Sequence, residues 1–276
     1  MQEILQITFK ISVLAFVVGS MLSMGLNLTI KQIAEPLKNT RLVIMALVAN
    51  FILVPLLVYG LTLVLPLSDG YKTGLIILSI AAGAPFLPKL ADIAKSNVPF
   101  SIGLMLLLMV VTIFYLPMVL PFLLKGAEVS SWDIAQSLIV LMLIPLVIAL
   151  AIRAYFEKIA KVLQTIFEKI SNIALLLLTI SLVILNAKHL INMFGYPLIA
   201  ILIVLVGAML IGYFLGGKEK STRVVMAMGT GQRNISAAIL VATQNFKDPE
   251  VSIILVAVAI FGLFIMLPYA KKAAAK

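Results

Sequence analysis

The stretch Gly74-Leu-Ile-Ile-Leu-Ser-Ile-Ala-Ala-Gly83-Ala-Pro85-Phe-Leu-Pro88-Lys89-Leu-Ala-Asp92 begins as an apolar membrane-crossing helix and cannot finish as one. Proline removes an amide donor and clashes with the preceding turn, so the helix is predicted to unwind between Gly83 and Pro88. A cation and an acid follow at once. A second stretch, Met228-Gly229-Thr230-Gly231-Gln232-Arg233-Asn234, places two glycines and four polar side chains inside another apolar run. Irregular backbone at membrane depth is tolerated only where protein or a wet cavity surrounds it. Paired interrupted spans in the two halves of a chain mark the binding site of many secondary transporters. Ionisable residues at that depth commonly line a pathway, which makes Lys89 and Arg233 the leading candidates for function.

The rest of the chain supplies the membrane context. Of 276 residues, 63% are hydrophobic and only 12% charged, and the mean hydropathy is +1.19. Such a composition fits an all-α polytopic membrane protein and leaves no room for a soluble domain. A helix needs about 20 apolar residues to cross the hydrocarbon layer. Runs of that length predict nine transmembrane helices, at 4–30, 41–66, 71–96, 99–124, 132–156, 167–187, 195–216, 220–245 and 249–270. The N-terminus lacks a basic leader region and runs into a span too long for a signal sequence, so the first span is expected to be retained.

Orientation follows from the basic residues on alternating connections. Lys72, Lys125, Lys188 and Lys247 lie on one side, while Lys10, Lys89 and Arg233 fall within spans; the remaining fourteen of the 21 Lys and Arg lie on the other side. That excess predicts a cytoplasmic C-terminus, an outside N-terminus and a multi-pass protein of the cell membrane. Trp132, Tyr71 and Tyr196, at span edges, are expected in an interfacial aromatic belt. With this orientation the third and eighth crossings run in opposite directions, the pattern of an inverted repeat.

The same features exclude other classes. The net charge of +10 sits mostly in short loops that set orientation and meet anionic lipid heads, so nucleic acid is not an expected partner. There is no cysteine for a disulfide or a thiolate metal site. One histidine, His189, reads as a loop residue, and Gly229-Thr-Gly231 lacks the further glycine and strand context of a dinucleotide fingerprint. An enzyme is not expected. The sequon Asn27-Leu-Thr29 falls at the inner membrane face and is discounted.

Three stretches carry a family resemblance: Met24-Gly25-Leu26-Asn27-Leu28, the segment from Ala91 to Ser101 around Asn97-Val98, and Gly231-Gln-Arg-Asn234-Ile-Ser-Ala-Ala-Ile-Leu. They resemble the bile acid:sodium symporter family over nearly the whole chain. The resemblance implies two inverted repeats that build a panel domain (4–30 and 132–187) and a core domain (41–124 and 195–270). Two broken helices would cross within the core, and substrate would move in the cleft between the domains by alternating access.

Departures from the family pattern bear on coupling. The resemblance implies two sodium sites at the crossing, made by a Ser-Asn pair, hydroxyls on the following span, a Glu, and two Gln. Here the Ser-Asn pair becomes Leu87-Pro88; Ser101 is kept and a later hydroxyl becomes Met105. The acid becomes Gly229, one Gln becomes Arg233, and the Gln of the second span becomes Asn50. Sodium wants several oxygens, preferably with a carboxylate, so these sites read as lost and no metal or other cofactor is expected. Lys89 and Arg233 then read as fixed replacements for bound cations.

The candidate substrate-binding and coupling residues are Lys89, Arg233, Asn234, Gln232, Thr230, Asn50, Asp92 and Ser101. Each has a plainer alternative. Lys89 snorkels to the interface or pairs with Asp92, and Arg233 staples carbonyls of an unwound segment. Asp92 serves only as a counter-ion to Lys89 or Arg233. Thr230, Gln232 and Asn234 cap helix ends, and Asn50 satisfies a carbonyl freed by Pro55. The expected function is a secondary transporter of organic anions, either bile-acid-like or small carboxylates and sulfonates, and independence of sodium is the reading of its altered sites. The alternatives are a sodium-coupled symporter of the same family and a channel or receptor-like membrane protein.

Overall fold

The computed structural model describes residues 2–29, 38–124, 130–185 and 193–275. Lys31, Lys125, Lys188 and His189, and the end of the predicted 4–30 span, lie outside the described residues. The described chain is helical throughout, in the order α1 (Gln2–Asn27), α2 (Thr40–Val64), α3 (Asp69–Ile80), α4 (Leu87–Ile93), α5 (Val98–Leu123), α6 (Ser131–Tyr155), α7 (Glu157–Leu185), α8 (Tyr196–Leu215), α9 (Lys220–Gly231), α10 (Ile235–Asn245) and α11 (Pro249–Ala274).

Seven of these, α1, α2, α5, α6, α7, α8 and α11, are long and apolar enough to cross a membrane. The chain is a multi-pass membrane protein. The other four come in two consecutive pairs, α3 with α4 and α9 with α10. With 12, 7, 12 and 11 residues, each is at most about 18 Å long at 1.5 Å per residue and cannot span alone.

The two predicted interruptions fall where residues 81–86 and 232–234 leave the helix. The first lies slightly earlier than the prolines suggested. Pro88 sits in the first turn of α4, where its missing N–H has no intrahelical partner to lose. Gly83 takes φ +83° and a Cβ there would meet the backbone of Met105 and Met109 on α5, so the loop lies directly against that helix. Only glycine suits both demands. The second interruption is shorter because no proline enforces it, and α9 runs through Gly231 before Gln232 turns extended.

Helices α2 and α6 each carry one π-turn, at Ala49–Leu53 and Ile139–Leu143, with Pro55 and Pro145 just beyond. Proline cannot donate to the carbonyl four residues back, and a π-turn is one way to absorb that loss. In α2 the freed carbonyl of Phe51 accepts from the Tyr115 hydroxyl of α5.

Helix α5 is central, with 61% of its most apolar window buried, against 28% for α7. The main core is built from α2 to α5 and α8 to α11, with contributions from α1, α6 and α7. A separate small cluster of Leu26, Ala149 and Ala160 joins α1, α6 and α7. Close approach there needs Gly25, whose Cβ would meet Ala149 Cβ at 2.6 Å and the Leu146 carbonyl at 2.8 Å. Tyr71 departs from its expected place in the aromatic belt. It is buried on the face of α3 where Gly74 lets α11 approach. Trp132 and Tyr196 remain exposed.

Candidate functional site at the two interruptions

Arg233 lies in the second interruption and is only 3% exposed. Its Nε donates to the Leu78 carbonyl at 3.1 Å, and Nη1 donates to Asn50 Oδ1 at 2.8 Å and to the Thr230 carbonyl at 3.3 Å. Nη2 donates to the Asn50 carbonyl at 3.4 Å and to the Ser79 carbonyl. A guanidinium has five N–H donors, and all five are used. Every acceptor is a neutral oxygen; among the described residues no carboxylate pairs with Arg233. Among the described residues Arg233 is therefore a buried positive charge with no paired acid, held mostly by carbonyls.

Local chemistry explains the arrangement. The end of α3 leaves the carbonyls of Leu78 and Ser79 without their full helical partners. The π-turn brings Asn50 to the same place, where its Nδ2 donates to Ala46 O at 2.9 Å and to Thr230 Oγ1 at 3.3 Å. The amide of Asn234 donates to Ala81 O at 2.9 Å, joining the second interruption to the first through backbone.

The structure brings Arg233, Asn50, Thr230, Asn234 and Gln232 together. Asn234 caps α10, its Oδ1 accepting from the Ala237 amide at 3.1 Å. Its Nδ2 and the Oε1 of Gln232 are buried without a hydrogen-bond partner among the described residues. Such orphaned atoms are costly and call for a water, an ion or a ligand group. Ser101 is buried and donates to Val98 O at 2.6 Å within its own helix.

Lys89 and Asp92 stand apart from this network. Lys89 Nζ is 3.9 Å from Asp92 Oδ2, and both side chains are well exposed, at 64% and 69%. Asp92 pairs with Lys89, not with Arg233.

Around Gly229 the lining is apolar. A Cβ there would meet Leu87 Cδ2 at 2.9 Å and Leu104 Cδ2 at 3.0 Å, and Met105 is buried close by in sequence on the same helix. Leucine methyls thus occupy the space next to the position where the resemblance implies a carboxylate.

Four participants escaped the sequence reading. Thr112 on α5 contacts both the N–H (2.9 Å) and the C=O (3.1 Å) of Ala82 through its hydroxyl, satisfying the first interruption. Its only sequence signal was a lone hydroxyl within an apolar run. Tyr115 supports the π-turn, and Ser20 of α1 meets Ser236 of α10 at 3.3 Å.

Residues 13–193 match the Sodium Bile acid symporter family. The chain belongs to that family. Among relatives of this family member, the probable sodium/metabolite cotransporter BASS2, chloroplastic, of Oryza sativa subsp. japonica is 26% identical over 238 residues, covering 84% of this chain and 57% of the relative. The corresponding BASS1 of Arabidopsis thaliana is 22% identical over 235 residues, covering 83% of this chain and 58% of the relative. A second rice protein, BASS3, is 23% identical over 256 residues, covering 89% and 60%. The chain spans about three fifths of the length of these relatives.

Proposed function

We propose that this symporter-family member is a secondary carrier of organic anions that works by alternating access. Each short-helix pair then acts as one interrupted crossing, which brings the seven long spans to nine in an inverted-repeat arrangement. The panel would be α1, α6 and α7, and the core the remaining helices. The excess of Lys and Arg on one side supports an outside N-terminus and a cytoplasmic C-terminus.

The observation that carries this reading is the pair of orphaned atoms, Gln232 Oε1 and Asn234 Nδ2, beside a buried and uncompensated guanidinium. Asn234 Nδ2 can donate to an anionic oxygen and Gln232 Oε1 can accept from a hydroxyl of the same ligand, and the charge of Arg233 favours a carboxylate or sulfonate. All five Arg233 donors are occupied, so its charge acts through the field and not by direct hydrogen bonds to substrate.

For coupling, the side chains support a built-in cation. Arg233 fills an oxygen-lined place at the crossing, and leucines fill the space by Gly229. The second reading is sodium coupling, favoured by the relatives, whose names describe them as sodium/metabolite cotransporters. Uptake of a panel of labelled carboxylates and sulfonates into proteoliposomes, in sodium against choline medium, separates the two. Equal rates are expected. A several-fold sodium requirement establishes the second reading, and no uptake of any anion in either medium overturns the carrier assignment.

A further inference from the structure

Helix α7 is the least buried of the seven long helices, and its two exposed faces differ. Ile166, Ile170, Ile173, Leu177 and Ile180 form a wholly apolar face that suits lipid. On the other face Thr165, Lys169, Asn172, Leu176, Thr179 and Val183 recur at alternating spacings of four and three residues, all exposed except half-buried Thr179. That is the spacing of a coiled-coil seam. The seam is turned from the rest of the chain. Ser171, Ala174, Leu178 and Leu182 are buried positions of α7, and Val183 lies about 100° around the helix from Leu182.

Depth gives the polar members their meaning. The Ser171 hydroxyl donates to the Phe16 carbonyl at 3.3 Å, and Phe16 is near the middle of α1. Asn172, the next residue, therefore sits well inside the hydrocarbon layer. The Thr165 and Thr179 hydroxyls donate to carbonyls of their own helix, at 3.3 and 2.8 Å. Among the described residues nothing pairs with the Asn172 amide or the Lys169 ammonium. Lipid tails offer neither donor nor acceptor, so an exposed amide at that depth is expensive.

We propose that two copies of this chain pair in parallel through α7. A second copy is the occupant these groups fit, because an amide carries both donor and acceptor and is its own complement. Asn172 meets Asn172 of the second copy across the two-fold axis. Glu168 is also exposed and accepts from Gln164 of its own helix at 2.7 Å. In a parallel pair Lys169 packs beside Glu168 of the second copy, which gives two ion pairs related by the axis. Both copies insert in the same direction, so the membrane enforces the parallel arrangement. The contact joins the proposed panels and leaves each core free to move, and only that purpose rests on the carrier reading.

Subunit counting by photobleaching of a dye at the C-terminus, with the protein at high dilution in phosphatidylcholine liposomes, reads the dimer directly. Two steps are expected for wild type. Asn172→Leu should weaken the dimer at least about fivefold, and Asn172→Gln should keep most of it. Glu168→Lys and Lys169→Glu should each weaken it, and the two together should restore it, a result that a folding defect does not give. The chain has no cysteine, so single thiols can be placed at will. Copper–phenanthroline should cross-link Leu176→Cys and Val183→Cys between copies, but not Leu177→Cys on the apolar face. Single steps in wild type overturn the proposal. Cross-links strongest at Leu177→Cys also overturn it, as does a dimer indifferent to Asn172→Leu and to both charge reversals. No substrate is used, so failure here leaves the carrier reading standing.

Discussion

The backbone amide of Asn234 donates to the carbonyl of Ala81 at 2.9 Å, so the two interruptions are joined main chain to main chain. Ala81 ends α3 and Asn234 begins α10. Arg233, one residue before Asn234, spreads its guanidinium over the last carbonyls of α3 and over Asn50 of α2. Three elements are thus fixed by one side chain and one amide, and a movement of either interruption must carry the other.

Removal of Arg233 should therefore cost stability as well as function. Arg233→Gln leaves several carbonyls of Leu78, Ser79, Thr230 and Asn50 short of donors, each worth about 1–3 kcal/mol when buried and unsatisfied. A loss of at least about 3 kcal/mol is expected after partial relaxation and water entry. Arg233→Lys keeps the charge but offers three donors from a point, and should recover only part of it. Thermal unfolding in detergent measures both. Wild-type stability and uptake in Arg233→Gln would end the idea that the guanidinium replaces a bound cation.

The proposal that Arg233 stands in for a bound cation also predicts how sodium dependence is engineered. Gly229→Glu alone should be poorly tolerated, since even its Cβ meets the methyls of Leu87 and Leu104. Leu87→Ser makes room and adds an oxygen, and Arg233→Gln removes the competing charge. The triple variant is expected to gain a sodium-specific rise in melting temperature that potassium does not give. Wild type should show none; a sodium-induced rise in wild type would favour the second reading of coupling.

Gly83 offers a test of the loop geometry. With φ +83° and the α5 backbone against its Cα, Gly83→Ala meets both conformational strain and a clash with main chain that has no flexible end to move. A loss of more than about 2 kcal/mol is expected. Gly60→Ala is the control, because nothing lies within 4 Å of a Cβ there. It should be neutral or slightly stabilising.

The first interruption was legible because Pro85 cannot continue a helix and Pro88 suits the first turn of a new one, although the chain leaves α3 at Ala81, before either proline. Arg233 was legible as a charge in an apolar run. Its partners were not, since four of its five acceptors are backbone carbonyls that carry no side-chain signal. Asn50 was identified, but its reach depends on a π-turn that Pro55 hints at without placing. Lys89 looked equivalent to Arg233 by position. Seven-residue α4 instead points it outward toward Asp92, because the helix restarts at Leu87 and buries Leu87, Leu90 and Ala91.

That orientation shapes what Lys89 should do in a coupling experiment. An exposed i,i+3 pair with Asp92 contributes about 0–1 kcal/mol, so Lys89→Met should leave the melting temperature nearly unchanged. If Lys89 carried a coupling proton, Lys89→Arg would abolish accumulation driven by an inward proton gradient, because a guanidinium does not deprotonate in a protein. Lys89 pairs with Asp92 outside the Arg233 network, and a guanidinium keeps its proton, so that network offers no group for the step. Proteoliposomes of wild type should therefore equilibrate substrate without concentrating it when a proton gradient is imposed, and Lys89→Arg should match the wild-type rate. Accumulation in wild type that disappears in Lys89→Arg would restore Lys89 as the coupling residue.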